Sequence, residues 1–286
     1  MTFKEWGDST NYFNYRDHNI AYWSAGQGTH LLLIHGFPTS SWDWHKLWKP
    51  LTARFTVVAV DMIGFGYSDK PKQYTYSITD QANLHETILK QLNIVTAHLL
   101  VHDYGVSVAQ EMLASAKERK GDGFQPLSCC FLNGGLFPDL HHARPIQKIL
   151  NSPVGWFFNQ FLNKKSLRRS FHRIYGNQKP TDKELDQFYQ LMLHKDGKGI
   201  TYKLMRYITD RKENANKWKS ALVDATIPLH FINGPLDPVS GRHLANYCRK
   251  LLPQWKVDIL EGVGHYPHDE APVEVVAAYF SFMNNM

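Results

Sequence analysis

The sequence predicts an α/β fold built on a mostly parallel sheet, and two observations support this prediction. Short, continuously apolar runs recur along the chain, and each is followed by loop residues and then by a helical pattern. Such runs are typical of strands that helices cover on both faces, and their alternation with helices is typical of parallel sheets. The predicted strands are 31–34, 56–60, 98–101, 128–132, 229–232 and 257–260.

Three helices are predicted around these strands. The first covers 77–92, where Ser77 or Thr79 can cap its start, and the second covers 106–120, which ends before a Gly-Asp-Gly turn. The third covers 272–282 and begins with a proline, as first turns of helices often do. Near the start of the chain, two apolar runs separated by four polar residues predict an antiparallel hairpin, which completes an eight-stranded sheet. These runs are 13–15 and 20–23.

The alternation stops between residues 137 and 220, where the pattern is helical and rich in aromatic residues. This segment has 17 Lys and Arg against seven Asp and Glu, whereas the rest of the chain has 15 against 19. We therefore predict a helical cap, 137–220, inserted into a core domain of residues 1–136 and 221–286. The net charge of +6 belongs to the cap, so the chain lacks the overall basicity of a nucleic-acid binder.

One run in the cap is especially basic, and two interpretations of it stay open. A solvated helix face is the simpler one, and contact with an anionic surface is the other. The run contains Lys164, Lys165, Arg168, Arg169 and Arg173.

The cysteine content and the apolar runs predict a cytoplasmic protein. Three cysteines, two of them adjacent, do not make a disulfide framework, which favours a reducing compartment. The first residues lack the pattern of a signal peptide, and no apolar run approaches the roughly 20 residues of a membrane span. An integral membrane segment is therefore not expected.

Acidic and histidine residues follow three of the predicted strands, at the sheet edge where ligands bind in open parallel sheets. Asp103 follows strand 98–101, Asp237 follows strand 229–232, and His265 follows strand 257–260. This chain order is that of a nucleophile, an acid and a histidine base. A carboxylate is ionised at neutral pH, displaces leaving groups from saturated carbon, and forms an ester that water can cleave.

The other parts of such a mechanism also have candidates. His265 is expected to activate the water, with Asp237 holding its tautomer. The main-chain N–H groups of Tyr104 and Phe37 are the natural donors of an oxyanion hole. Ser107 is the alternative nucleophile of an esterase, since residues 105–109 match a G-x-S-x-A pattern, but it lies about one turn inside the predicted helix. A binding module without catalysis is a further alternative.

The chain resembles α/β-hydrolases of the branch shared by epoxide hydrolases and haloalkane dehalogenases. The resemblance rests on motifs spread over nearly the whole chain, and it implies an α/β-hydrolase fold with helices on both faces and a cofactor-independent hydrolase. The matching stretches are His35-Gly36-Phe37-Pro38, Gly64-Phe65-Gly66-Tyr67-Ser68-Asp69-Lys70-Pro71, His102-Asp103-Tyr104-Gly105, Asn133-Gly134-Gly135-Leu136-Phe137-Pro138, Gly234-Pro235-Leu236-Asp237-Pro238 and Gly264-His265-Tyr266-Pro267.

The resemblance also narrows the substrate to a small apolar epoxide or alkyl halide. Dehalogenases of this branch hold the halide with a Trp after the nucleophile and with an Asn after the His-Gly pair or a second Trp in the cap. Here the first two positions are Tyr104 and Phe37, which leaves Trp156 as a possible contributor. Phe37 is what epoxide hydrolases show, and Tyr207 matches one of their two cap tyrosines, with Tyr175 a weaker candidate for the other.

No cofactor or metal is expected. Gly26-Gln27-Gly28 lacks the third glycine and the following helix of a dinucleotide site. His141-His142 has no acidic or cysteine partner at ligand spacing, so a loop at the cap hinge is the better interpretation. His35, Gly36 and His102 are expected to adjoin the catalytic residues and to orient the loops around them.

Overall fold

The computed structural model describes residues 1–140, 152 and 155–286, and its eight described strands form a single sheet. The strands are β1 (Asn11–Tyr15), β2 (His18–Ala25), β3 (His30–Ile34), β4 (Thr56–Val60), β5 (Thr96–Val101), β6 (Gln125–Phe131), β7 (Leu229–Asn233) and β8 (Lys256–Ile259). Their spatial order is β1-β2-β4-β3-β5-β6-β7-β8. β1 and β2 pair as an antiparallel hairpin, β2 is antiparallel to β4, and all other pairs are parallel. The predicted fold class is confirmed.

Helices lie on both faces of the sheet and between β6 and β7. They are α1 (Phe3–Asp8), α2 (His45–Thr52), α3 (Ile78–Gln91), α4 (Tyr104–Arg119), α5 (Gly155–Asn159), α6 (Lys164–Ile174), α7 (Asp182–Leu193), α8 (Thr201–Leu204), α9 (Tyr207–Glu213), α10 (Ala215–Val223), α11 (Arg242–Leu251), α12 (Pro267–Glu270) and α13 (Pro272–Asn284). Short 3₁₀ helices occur at Ser41–Trp44, Pro138–Leu140 and His194–Ile200. None of the described helices is long and apolar enough to span a membrane.

Alternate side chains of the central strands enter two separate cores. Leu32 and Ile34 of β3 pack with residues of α3, α4 and α11, whereas Leu31 and Leu33 pack with residues of α1, α2 and α13. Because successive strand residues point to opposite faces, continuously apolar strands need helices on both sides. This arrangement buries the ends of β5 and β7, which precede Asp103 and Asp237.

Helix α1 was not predicted, although its start carries a recognisable signal. Thr2 and Glu5 form a capping box, in which each side chain accepts the main-chain N–H of the other residue. Trp6 of α1 stacks on Trp23 of β2, with ring centroids 4.7 Å apart. The helix thereby covers the edge of the core formed by α2 and α13.

Between β6 and β7 the described residues are helical, as the sequence predicts for the cap. The boundary predicted at residue 220 lies inside α10, which packs on α4 of the sheet layer. Trp218 Nε1 donates to Glu111 Oε2 at 2.6 Å, and Lys217 Nζ donates to Glu111 Oε1 at 3.0 Å. His141-His142 lies outside the described residues.

Candidate active site

Asp103 occupies the sharp turn between β5 and α4. Its φ of 46° and ψ of −103° are unfavourable for a residue with a Cβ, so surrounding contacts must hold them. The Asp103 N–H donates to the Asn133 carbonyl at 2.9 Å, and the Gly105 N–H donates to the His35 carbonyl at 3.1 Å. A Cβ on Gly105 would lie 2.4 Å from the Ile34 carbonyl oxygen, so the chain can turn this closely only with glycine there.

The three predicted catalytic side chains come together at this turn. His265 Nε2 lies 3.4 Å from Asp103 Oδ2, and His265 Nδ1 lies 2.7 Å from Asp237 Oδ2. All three residues are at most 5% exposed. The cap also contributes to this geometry, because the His265 N–H donates to the Ile174 carbonyl at the end of α6, at 2.8 Å.

Burial, charges and hydrogen bonds set the charge state of these groups. Burial alone would lower the pKa of His265, but Asp237 and Asp103 together hold that pKa well above its usual range. Burial would raise the pKa of Asp103, but the hydrogen bond and charge of His265, followed by the charge of Arg211, hold that pKa well below its usual range. The pKa of Asp237 is lowered to about 2, against burial, chiefly by His265. The two carboxylates therefore favour the protonated form of His265, and His265 favours the ionised form of both carboxyl groups.

Two residues that the sequence analysis did not single out orient Asp237. The Asn133 side chain donates to Asp237 Oδ2 at 3.0 Å, and Ser240 donates to the same oxygen through its hydroxyl at 2.6 Å and its N–H at 3.1 Å. The Asn133 amide also binds the main chain of Gly234 in both directions. For Asn133 the available signal was its place in the motif after β6, whereas Ser240 lies just outside the motif after β7.

The main-chain N–H groups of Phe37 and Tyr104, the two predicted oxyanion-hole donors, differ in their contacts with Asp103. The Phe37 N–H donates to Asp103 Oδ1 at 3.0 Å, which leaves Oδ2 on the side of His265. Tyr104 begins α4 directly after Asp103, and no hydrogen bond from its N–H to that carboxylate is seen among the described residues. The Tyr104 side chain is buried against Phe65 and Tyr207.

Arg211 of α9 is a further residue of this site, and it was missed because it lies far away in sequence. It is 2% exposed, its Nε donates to Ser107 Oγ at 2.7 Å, and its Nη2 donates to the Asp103 carbonyl at 3.0 Å. A Cβ on Gly135 would lie 2.7 Å from Nη1, so glycine makes room for the guanidinium. Ser107 is thus fully buried, and its hydroxyl oxygen accepts a hydrogen bond from Arg211.

A cavity of about 530 Å³ opens beside Asp103 and His265. Its walls are mostly apolar, and its polar lining groups come mainly from the cap. The other described lining residues are Phe37, Pro38, Phe161, Leu162, Asn163, Ser166, Leu167, Ser170, Phe171, Ile174, Met192, Thr201, Met205 and Val239. A pocket of this size and polarity suits a small apolar molecule.

The predicted cap residues lie outside this set of lining residues. Tyr207 is buried, with its ring 6.2 Å from that of Phe37 and 5.3 Å from that of Tyr104. The Tyr175 hydroxyl donates to Asp269 Oδ2 at 3.0 Å, and its ring stacks on Tyr266. Trp156 is 55% exposed. The structure therefore places Tyr207 next to Phe37 and Tyr104, but it places neither Tyr175 nor Trp156 at the cavity.

His35 and His102 lie near the three predicted catalytic residues and form hydrogen bonds with the main chain of other loops. The Met62 N–H donates to His35 Nε2 at 3.1 Å, and His102 Nε2 donates to the His265 carbonyl at 2.8 Å. Burial lowers the pKa of His35 to about 4 and that of His102 to about 3, so both rings are neutral. Gly36 packs on His102 and Asp103, which a Cβ would meet at 2.7 and 2.8 Å.

Two clusters among the described residues have the side chains that metal ions prefer. His45, Glu184 and Asp269 form one, but Lys46 Nζ already lies 2.9 Å from Glu184 and 2.7 Å from Asp269. The other lies buried beneath His265 and consists of Asp43, His102 and His268. Burial lowers the pKa of both of its histidines, so they place no positive charge beside the His265 ring.

The fold and these motifs define a class of protein, and comparison with known families agrees with it. The family model described as alpha/beta hydrolase fold matches residues 29–272, and the chain belongs to this family.

Among curated proteins, the chain is similar to the mesoderm-specific transcript protein of Mus musculus. The two are 37% identical over 295 residues, covering 98% of this chain and 87% of the mouse protein. It is also 35% identical to the putative hydrolase LipZ of Mycobacterium tuberculosis, over 88% of each chain.

Solved structures share the fold at lower identity. The haloalkane dehalogenase DbeA-M1 loop variant from Bradyrhizobium elkanii superposes with a TM-score of 0.81 at 20% identity, over 97% of each chain. The epoxide hydrolase CorEH superposes with a TM-score of 0.72 at 19% identity, over 96% of this chain and 98% of that one.

Proposed function

We propose that the chain hydrolyses small apolar substrates through an ester on Asp103, with epoxides as the substrate class. The observation that carries this proposal is the placement of the Asp103 carboxylate between the Phe37 N–H at 3.0 Å and His265 Nε2 at 3.4 Å. An ionised carboxylate at that position can act as a nucleophile without prior loss of a proton.

The two carboxylate oxygens have different tasks in this proposal. Oδ2 attacks a saturated carbon of the substrate, the carbon–oxygen bond of the epoxide breaks, and the alkoxide formed on the epoxide oxygen takes a proton from solvent. Oδ1 becomes the carbonyl oxygen of the ester and stays bonded to the Phe37 N–H. When water adds to the ester carbon, negative charge grows on Oδ1, where that N–H stabilises it. His265 takes a proton from that water, and Asp237 stabilises the resulting imidazolium. When the tetrahedral intermediate collapses, the imidazolium gives this proton to the leaving alkoxide and the diol departs. Asp103 then loses the second proton of the water to solvent and is a carboxylate again.

Two features favour epoxides over alkyl halides. Halide release needs N–H donors aimed at the departing ion, but the described cavity lining contains no tryptophan and only one side-chain amide, that of Asn163. By the resemblance to dehalogenases, the residue after the His-Gly pair would be a halide-binding Asn, and here that residue is Phe37. Tyr207 packs next to Phe37 and Tyr104 but is not among the described residues that line the cavity, so it adds no support for epoxides.

The experiment that tests this mechanism is a single turnover in oxygen-18 water with panels of epoxides and haloalkanes. We expect turnover of epoxides, unlabelled diol in the first turnover and oxygen-18 in Asp103, because water attacks the ester carbon and not the substrate. Mass spectrometry of the Asp103 peptide measures the label. Turnover without label in Asp103 contradicts the ester, and turnover of haloalkanes alone contradicts the substrate class.

The two chemical steps are expected to depend differently on pH. Ester formation needs ionised Asp103, whose pKa lies well below its usual range, so its rate should be flat from about pH 5 to 9. Forming the ester removes one of the two negative charges that raise the pKa of His265, so that pKa falls and the ring can lose its proton. Ester hydrolysis should therefore rise with pH, as rapid-quench measurements of adduct decay would show. A hydrolysis rate that is independent of pH contradicts the role of His265.

A further inference from the structure

Next to the cavity, the cap exposes a cluster of aromatic side chains. Trp156, Phe157 and Phe161 are 55%, 47% and 62% exposed. Their rings pack edge to face, with centroids 6.0 Å apart for the first pair and 5.4 Å apart for the second. Phe161 also lines the cavity, so the aromatic cluster reaches its wall. Contiguous exposed aromatic residues of this kind mark an interaction surface.

Beside this cluster, α6 presents a row of cations. Lys165, Arg169 and Arg173 are exposed, four residues apart, and form no ion pair with any residue that the structure describes. Their neighbours Lys164 and Arg168 pair instead with Asp186 and Asp182 of α7. The next residues on the helix, Ser166 and Ser170, line the cavity. The row of cations therefore lies beside the cavity wall to which Phe161, Ser166 and Ser170 contribute.

We propose that this face of the cap, formed by Trp156, Phe157, Phe161, Lys165, Arg169 and Arg173, binds the surface of an anionic phospholipid bilayer. Amphipathic aromatic rings enter the headgroup region, and cations beside them attract anionic lipids. A second copy of the chain is disfavoured as the occupant, because it would bring two strongly basic caps together. On the bilayer, the cavity wall lies at the interface, where apolar substrates concentrate.

The test is flotation of the purified full-length chain with vesicles of phosphatidylcholine alone or containing phosphatidylserine, without substrate. We expect binding to the anionic vesicles, weakened by salt. Each cation near such a surface is worth about fivefold in the partition coefficient, so the variant K165Q/R169Q/R173Q should bind about 100-fold more weakly. The matched control K49Q/K90Q/K120Q removes three exposed cations from the core domain and should bind as the native chain does.

The aromatic half of the surface has its own measurement. Trp156 is the exposed tryptophan, since the other seven are at most 7% exposed. Brominated lipids should therefore quench Trp156 selectively, and W156S/F157S should lose both the quenching and the binding. Equal binding to both vesicle types, equal loss in the control, or no quenching would overturn the proposal. Self-association that W156S/F157S abolishes would instead assign this face to a second copy. These outcomes do not depend on the chemistry at Asp103.

Discussion

The variant His265→Gln should form the Asp103 ester but hydrolyse it about 10²- to 10⁴-fold more slowly, because it lacks the general base. Glutamine cannot take a proton from water, whereas Asp103 keeps its Phe37 hydrogen bond and stays able to attack. With an epoxide, intact-protein mass spectrometry should show one equivalent of a species heavier by the whole substrate. Peptide mapping should place the addition on Asp103.

The matched control is Asp103→Ala, which should give no adduct and no turnover, alone or combined with His265→Gln. An adduct on Ser107, or turnover that survives Asp103→Ala, would assign the chemistry to an esterase mechanism. The buried hydrogen bond between the Ser107 hydroxyl and Arg211 gives no reason to expect that result.

Replacing Arg211 with Met should slow ester formation about 10- to 100-fold with little change in KM. Arg211 holds the Asp103 carbonyl and Ser107 at once, and small misplacements of a nucleophile cost rates of this order. KM should change little because Arg211 is not among the described residues that line the cavity. Pre-steady-state rates of adduct formation, measured beside steady-state kcat and KM, separate the two effects.

Two companion variants distinguish positioning from general loss of stability. Arg211→Lys keeps the charge but not the two-point contact and should recover part of the rate, while Ser107→Ala removes one contact and should cost only a few-fold. In Arg211→Met, the loss of two hydrogen bonds destabilises the fold, but a charged guanidinium no longer has to be buried away from water. These two effects oppose each other, so the free energy of unfolding should change by less than about 2 kcal/mol. A large loss of stability with an unchanged rate per folded molecule would make Arg211 purely structural.

The sheet could be predicted because burial on both faces leaves a strong mark in the sequence. The apolar runs place all eight strands within a few residues of their observed bounds, and the helix predicted at 77–92 is observed as Ile78–Gln91, capped by Ser77. The helix predicted at 106–120 begins earlier, at Tyr104, because the turn at Asp103 leads directly into it. Helix α1 was missed because its six residues are too few to show a period, although its capping box was visible.

The part of the candidate site that lies at the carboxyl ends of the strands could be predicted from the sequence. Asp103, Asp237 and His265 meet because the carboxyl ends of neighbouring parallel strands share one edge of the sheet. The contacts of the cap could not be predicted in this way, because a helical pattern does not specify which loop residues a side chain of the helix will contact. The resemblance points to Tyr175, yet the hydroxyl of Tyr175 is hydrogen-bonded to Asp269. Arg211 matches no motif, although it contacts the main chain of Asp103.

The packing of Arg211 against Gly135 also bears on how such chains diverge. A side chain at position 135 would occupy the space of the guanidinium, so a mutation there would displace Arg211 from its contacts with Ser107 and Asp103. The two positions are therefore expected to change together among descendants of this chain, or not at all. The loop after β6 and helix α9 are thus expected to be inherited as one unit, which would limit the exchange of the helices between β6 and β7 among relatives.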